Sequence, residues 1–235
     1  MDTSQPHNDG IRLNKLLAEA LGISRREADE AIEHGLVTIN GELARLGSRV
    51  QRADDMVCYK DAPVGIESHA YRYIVLHKPV GYVCSRKQQG DAPTIYSLLP
   101  SEMASLKPVG RLDKDSSGII LLTDDGDFAH LMTHPRYAKV KRYEVTLNTP
   151  LQPLHQQMIS DNGVLLPDGP SKFSVSSIEG QDVTYEVILR EGRNRQIRRT
   201  FAALGYEVAA LHRTSFGPYE LNDLAVGKQQ STRRL

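Results

Sequence analysis

The sequence carries no excess charge of either sign: 29 Lys and Arg stand against 29 Asp and Glu in 235 residues. A net charge of zero excludes a protein that grips nucleic acid by bulk charge, so only a local cluster could recruit an RNA partner. Cysteine is also scarce. Cys58 and Cys84 are the only two. They lie in apolar stretches, form no CxxC and have no His at metal-ligand spacing, so we read both as reduced fillers and expect neither a disulfide framework nor a metal. His34, His130, His134 and His212 are scattered without ligand spacing. No stretch approaches the roughly 20 apolar residues of a membrane span. The opening Met1 to Gly10 is polar and lacks the apolar core of a signal peptide and the Arg-rich face of a transit peptide. The expectation is a cytoplasmic protein with no membrane partner. Internal repeats and low-complexity tracts are missing as well.

What is present is a 40% hydrophobic content, enough for a sizeable core, on a length that fits a small domain joined to a medium one. Leu13, Leu16, Leu17, Ala20 and Leu21 recur at helical spacing, and Gly22 can close that helix in the left-handed conformation. Ser24 and Glu27 form a capping-box pair ahead of a second helix, with Ala28, Ala31 and Ile32 on one face and Gly35 as its stop. Val37 and Ile39 then alternate into Asn40-Gly41, a favoured hairpin turn. Two short helices and a hairpin thus fill residues 11–60, after a disordered segment at 1–10. Pro63, Gly65 and Ser68 interrupt any period, so residues 61–70 read as a linker.

Beyond it the spacing changes. Tyr71 to Leu76, Ile119 to Leu122, Tyr143 to Leu147, Val183 to Leu189 and Val208 to Leu211 read as strands. Helices are expected near Phe128 to Thr133, Leu151 to Ser160 and Gln196 to Leu204. The pattern implies an α+β domain over residues 71–228 with a mixed, mainly antiparallel sheet, followed by a tail at 229–235.

Two segments could carry chemistry. One is Gly110-Arg111-Leu112-Asp113-Lys114-Asp115-Ser116-Ser117-Gly118, where an acid between glycines precedes an apolar strand; such a loop can hold a carboxylate rigidly at a sheet edge. A polar turn, a capping loop or a calcium loop compete, since Asp113, Asp115, Ser117, Gly118 and Ile120 fall at EF-hand spacing. Calcium fits poorly, because Pro108 and Gly110 stand where a helix should enter and Asp124 stands where a bidentate Glu belongs. The other segment is the basic cluster Arg190, Arg193, Arg195, Arg198 and Arg199, which could equally be a solvated helix face.

These residues also resemble a family. Gly-Arg-Leu-Asp113-x-Asp-Ser-x-Gly followed by Leu-Leu-Thr-x-Asp-Gly is similar to the signature of the RsuA-type ribosomal RNA pseudouridine synthases. His77-Lys78-Pro79-x-Gly81-Tyr82, Lys141-Arg142-Tyr143 and the run from Glu191 to Arg199 resemble its other motifs. Arg12-Leu13-Asn14-Lys15, Ser24-Arg25-Arg26 and Val37 to Gly41 resemble the S4-type RNA-binding domain that these enzymes carry. The likeness extends from Ile11 to about Gly217.

The resemblance implies an S4-type domain at residues 11–60 and a catalytic domain at 71–228 that isomerises a specific uridine of ribosomal RNA. Asp113 would be the nucleophile and Arg198 would pair with it and orient it. Tyr143 would stack on the target base and help remove its proton, with Leu211 packing beneath. Arg111 would enter the RNA where the uridine flips out. Arg12, Lys15, Arg25 and Arg26 would contact RNA phosphates, and Arg193 and Arg195 would also bind the RNA. A carboxylate can trap or stabilise an electron-poor sugar carbon unaided, so no cofactor is expected. The implied partner is ribosomal RNA, free or in an assembly intermediate, met by a monomer. The competing reading is a noncatalytic RNA-binding or ribosome-assembly protein on the same scaffold. Asp113 discriminates between them, since a binder gains nothing from an acid facing phosphates.

Overall fold

The computed structural model describes residues 10–51, 54–65, 70–87 and 90–235. The chain divides between Ala70 and Tyr71 into two compact units. The expected disordered segment at 1–10 lies outside the described residues except for Gly10, which is buried and accepts a hydrogen bond from Arg49 Nη1 at 2.5 Å.

The first unit opens with β1 (Ile11–Arg12) and α1 (Leu13–Leu21), which Gly22 ends at φ +68°. In α2 (Arg25–Glu33) the capping box is complete: Ser24 Oγ accepts from the Glu27 amide at 3.2 Å and Glu27 Oε2 from the Ser24 amide at 2.6 Å. The strands β2 (Val37–Ile39) and β3 (Glu42–Leu43) meet at Asn40-Gly41, both at positive φ as the tight hairpin turn requires. β4 (Arg49–Val50) pairs with β1, while β5 (Val57–Tyr59) joins β2. Leu13, Leu16, Leu17, Ala28, Ile32, Val37, Val50 and Val57 form its core.

The segment read as a linker starts inside this unit. Lys60 and Asp61 adopt φ of +50° and +62°, turning the chain into β6 (Ala62–Pro63), which pairs with β5. Val64 follows, buried, with its amide on the Val57 carbonyl at 2.8 Å. Pro63 tolerates this place because an edge strand needs no donor on its outer side. Residues 66–69 lie outside the described residues.

The second unit is a nine-stranded sheet. Its strands are β7 (Tyr73–Lys78), β8 (Lys107–Val109), β9 (Ser117–Thr123), β10 (Lys141–Leu147), β13 (Ser174–Ser177), β14 (Thr184–Leu189), β15 (Val208–Phe216), β16 (Tyr219–Glu220) and β17 (Gln229–Thr232). The hairpin β11 (Val164–Leu166) and β12 (Gly169–Ser171) stands apart. The order is β13-β14-β10-β15-β9-β7-β17, with β8 on β9 and β16 on β15, and every pairing is antiparallel except β15 with β9. The α+β class and the mixed, mainly antiparallel sheet follow directly.

Central strands are buried on both faces, so the apolar run Ile119 to Leu122 alternates between two cores. Ile120 and Leu122 join Ile74, Leu76, Val145 and Phe201 under α5 (Gln196–Ala203). Ile119 and Leu121 join Val75, Phe128, Met132 and Phe216 under α3 (Gly126–Thr133). Gly118 is obligatory at the parallel junction: a Cβ there would lie 2.2 Å from the Arg213 carbonyl oxygen, at φ +111°.

Two other expectations shift. The helix read from Leu151 begins only at Pro153, as α4 (Pro153–Gln157), because the amides of Leu151 and Gln152 are taken by the hydroxyls of Tyr185 (2.7 Å) and Tyr206 (3.1 Å). The supposed tail at 229–235 is part of the sheet, since β17 pairs with β7 from Gln229↔Leu76 to Thr232↔Tyr73. Among the described residues no helix is long and apolar enough to cross a membrane.

Candidate active site

The loop between β8 and β9 is anchored at almost every carbonyl. The Asp113 carbonyl accepts from the Ser116 amide at 3.1 Å, and that of Lys114 from the Gly81 amide at 2.7 Å. The Ser116 carbonyl accepts from Lys78 Nζ at 2.6 Å. Leu112 is buried, with its amide and carbonyl both 3.4 Å from Cys84 Sγ. Cys58 and Cys84 are both free thiols. Lys78 is wholly buried, and desolvation pushes its ammonium below the usual range against the opposing pull of Cys84, Asp113 and Asp115. A loop pinned this way presents the Asp113 carboxylate, 33% exposed, in a fixed place. The calcium alternative fails here, since Ser117, Gly118 and Ile120 lie in β9 and the Asp115 carboxylate is held by two arginines.

Asp113 faces a cleft of about 320 Å³ that Arg111, Tyr143, Arg193, Arg195 and Leu211 also line. Tyr143 comes from β10, opposite Arg213 of β15 and Val187 of β14. Tyr143 and Leu211 are both buried to within a tenth of their surface, so they form wall and not rim. Arg111 is exposed.

The arginine partner of Asp113 is not the one expected. Arg195 Nη1 lies 3.6 Å from Asp113 Oδ2 and its guanidinium grips Asp115 bidentately at 3.0 and 2.9 Å. Arg198 instead places Nε 3.3 Å from Asp115 Oδ2 and donates to the carbonyls of Asp115 (2.8 Å) and Val208 (2.7 Å). It reaches the loop backbone from the first turn of α5. Arg195 precedes the helix at φ +45°, a left-handed conformation that costs a non-glycine residue about 1–2 kcal/mol. That turn aims its side chain at both carboxylates. Hydrogen bonding to Arg195 leads the causes that hold Asp115 below its usual pKa.

Arg193 also differs from expectation. Its guanidinium is committed to the carbonyls of Asp168, Gly169 and Pro170 at 3.1, 3.1 and 2.8 Å, which fastens the β11–β12 hairpin to the head of α5. Arg199 completes the staple on the Asp168 carboxylate at 2.8 Å. In the first unit Arg12 precedes α1, and Arg25 and Arg26 open α2, all exposed. Arg25 Nη2 donates to Asn14 Oδ1 at 2.9 Å, drawing the two helix N-termini together, and Lys15 lies 3.8 Å from Glu19.

Three cleft residues had no assigned role. Ser116 is 1% exposed and its Oγ has no hydrogen-bond partner among the described residues. Lys141 is largely buried; desolvation, then the charge of Arg213, pushes its pKa down from 10.5 to about 8. Arg213 is buried, with Nε and Nη2 on the Ile119 carbonyl at 2.9 and 2.7 Å. Ser116 and Lys141 lie inside motifs quoted above, and that placement was the available signal, whereas Arg213 lies in none of them.

Comparison with known proteins gives matches over both units. Residues 72–203 match the RNA pseudouridylate synthase family and residues 11–57 the S4 domain. The chain is 38% identical over 224 residues to the ribosomal small subunit pseudouridine synthase A of Pasteurella multocida, covering 94% of this chain and 95% of that one. Against the protein of the same name from Escherichia coli K12 it is 36% identical over 221 residues, covering 93% and 94%. A crystal structure of a pseudouridylate synthase aligns with a TM-score of 0.67 at 34% identity, covering 95% of this chain and 96% of that one.

Proposed function

This chain belongs to the RNA pseudouridylate synthase family, and we propose that it isomerises one or a few specific uridines of small-subunit ribosomal RNA, with Asp113 as the nucleophile. The observation that carries the reading is an anchored carboxylate and a buried tyrosine sharing one cleft, with an arginine 3.6 Å from the acid. The near full-length relatives named for the small subunit support that choice of RNA.

The reaction breaks the bond from the ribose anomeric carbon to N1 of uracil and forms one from the same carbon to C5. C5 loses a proton and N1 gains one, so atoms and electrons balance without a co-reactant. Asp113 traps or stabilises the electron-poor sugar carbon while the base turns. Arg195, not Arg198, orients the carboxylate. Tyr143 stacks on the base over Leu211 and assists removal of the C5 proton. The uridine must leave its stack to enter, and Arg111 at the mouth takes its place.

The first unit supplies affinity through Arg12, Lys15, Arg25 and Arg26. The enzyme acts as a monomer on free RNA or an assembly intermediate. Incubating the purified chain with unmodified small-subunit ribosomal RNA, then mapping pseudouridine, should reveal one or a few modified positions. RNA that emerges unmodified overturns the reading, and modification confined to large-subunit RNA overturns the choice of substrate.

A further inference from the structure

The segment from the end of α3 to β10 concentrates what the rest of the chain lacks. From His130 to Arg142 there are four Lys or Arg, two His and no acid, in a protein whose formal charge is zero. Three of its rings gather on one another: His130 and His134 at 4.7 Å, His130 and Tyr137 at 5.9 Å, His134 and Tyr137 at 6.1 Å between centroids. The Arg136 guanidinium covers the Tyr137 ring at 4.6 Å and its Nη2 donates to the Tyr137 hydroxyl. His130, His134 and Arg136 are nevertheless exposed. Two of the rings are tied by hydrogen bonds, Tyr137 to Arg136 Nη2 and His134 to the turn. His134 Nδ1 accepts from the Arg136 amide at 3.2 Å, and Ala138 at φ +44° closes the turn. His134, Pro135 and Lys139 line the cleft that holds Asp113, so the cluster forms one of its lips.

We propose that His130, His134, Arg136 and Tyr137 form a stacking platform for an unpaired nucleobase of the RNA strand beside the target uridine. This rests on the function proposed above and adds a second base site to it. Preformed rings and a guanidinium plane offer π-faces to a splayed base, and an acid-free basic stretch tolerates the phosphate that comes with it. The occupant is RNA because the platform continues the cleft into which the strand must pass, and because Arg136 and Lys139 flank the Tyr137 ring in the chain.

The test uses the full chain and the small-subunit RNA fragment that carries the mapped uridine, with neighbouring nucleotides made abasic one at a time. One abasic position should weaken binding to the unmodified protein by about 5- to 150-fold, the range for losing one stacked base. The same substitution should cost little in the exposed-site variant His134→Ala/Arg136→Ala. If every abasic fragment binds the unmodified protein as tightly as intact RNA, the platform is wrong. It is also wrong if the double variant lowers only the salt dependence of binding, since that would mark phosphate contact alone. Isomerisation of the intact fragment, followed in parallel, separates either outcome from failure of the catalytic reading.

Discussion

Replacing Arg195 by Gln should slow isomerisation far more than it destabilises the fold. Its guanidinium lies 3.6 Å from Asp113 and 2.9 Å from Asp115, with 43% of its side chain exposed. In the free protein water screens such a pair, and exposed ion pairs contribute about 0.2–1 kcal/mol to stability. Coulomb attraction over this separation is roughly 1 kcal/mol in bulk water but roughly 4–5 kcal/mol at an effective dielectric of about 20. RNA seated over the cleft is expected to exclude water, which would strengthen the hold of Arg195 on the orientation of the carboxylate in the reacting complex. Realising even 1.4–2.7 kcal/mol of that difference in the transition state corresponds to about 10- to 100-fold in rate. Tritium release from RNA labelled at uridine C5, under single turnover with enzyme saturating, measures the step directly. Thermal unfolding of the same variant should stay near that of the unmodified protein. A single-turnover rate within about twofold of the unmodified enzyme would refute the role given to Arg195.

Arg25→Ala should weaken RNA binding and lower the slope of log affinity against log salt by about one, because one phosphate contact is lost, with the single-turnover rate unchanged at saturation; filter binding at several salt concentrations checks it. Lys141, which lines the cleft, has its folded pKa lowered to about 8 from 10.5. Between those values the unfolded chain binds more protons than the folded one, so this residue makes stability rise with pH across that window, and Lys141→Met should flatten the rise in chemical denaturation. RNA phosphate should restore the proton, so calorimetry near pH 8.5 in two buffers should show proton uptake on binding that the Met variant lacks. Residues 71–235 alone should unfold cooperatively and bind the RNA more weakly than the full chain, as circular dichroism and filter binding would show.

Local chemistry made much of this legible in the sequence. Ser24 with Glu27, Gly22, and Asn40-Gly41 each have one favoured backbone outcome, and all three adopt it. The features that the sequence does not show depend on distant partners. Gln229 to Thr232 shows no alternation and is a strand only because the edge of β7 accepts its backbone. Val208 to Leu211 reads as a short strand, yet β15 runs on to Phe216, because the Ile119 carbonyl satisfies Arg213 within the run. The choice between Arg195 and Arg198 turned on a single left-handed residue ahead of α5. No spacing rule places an arginine there, since that conformation is disfavoured locally and held by Asp115 from 80 residues away.

The most direct test of the account is single-turnover isomerisation by Asp113→Asn on the mapped small-subunit RNA, run beside Asp113→Ala so that deamidation cannot restore the acid unnoticed. The amide keeps the shape of the side chain and its place in the anchored loop but cannot act as a carboxylate nucleophile. No tritium release above background is expected from either variant, with RNA affinity within about threefold of the unmodified protein, since base-independent contacts are untouched. Turnover above a trace in both variants would contradict it.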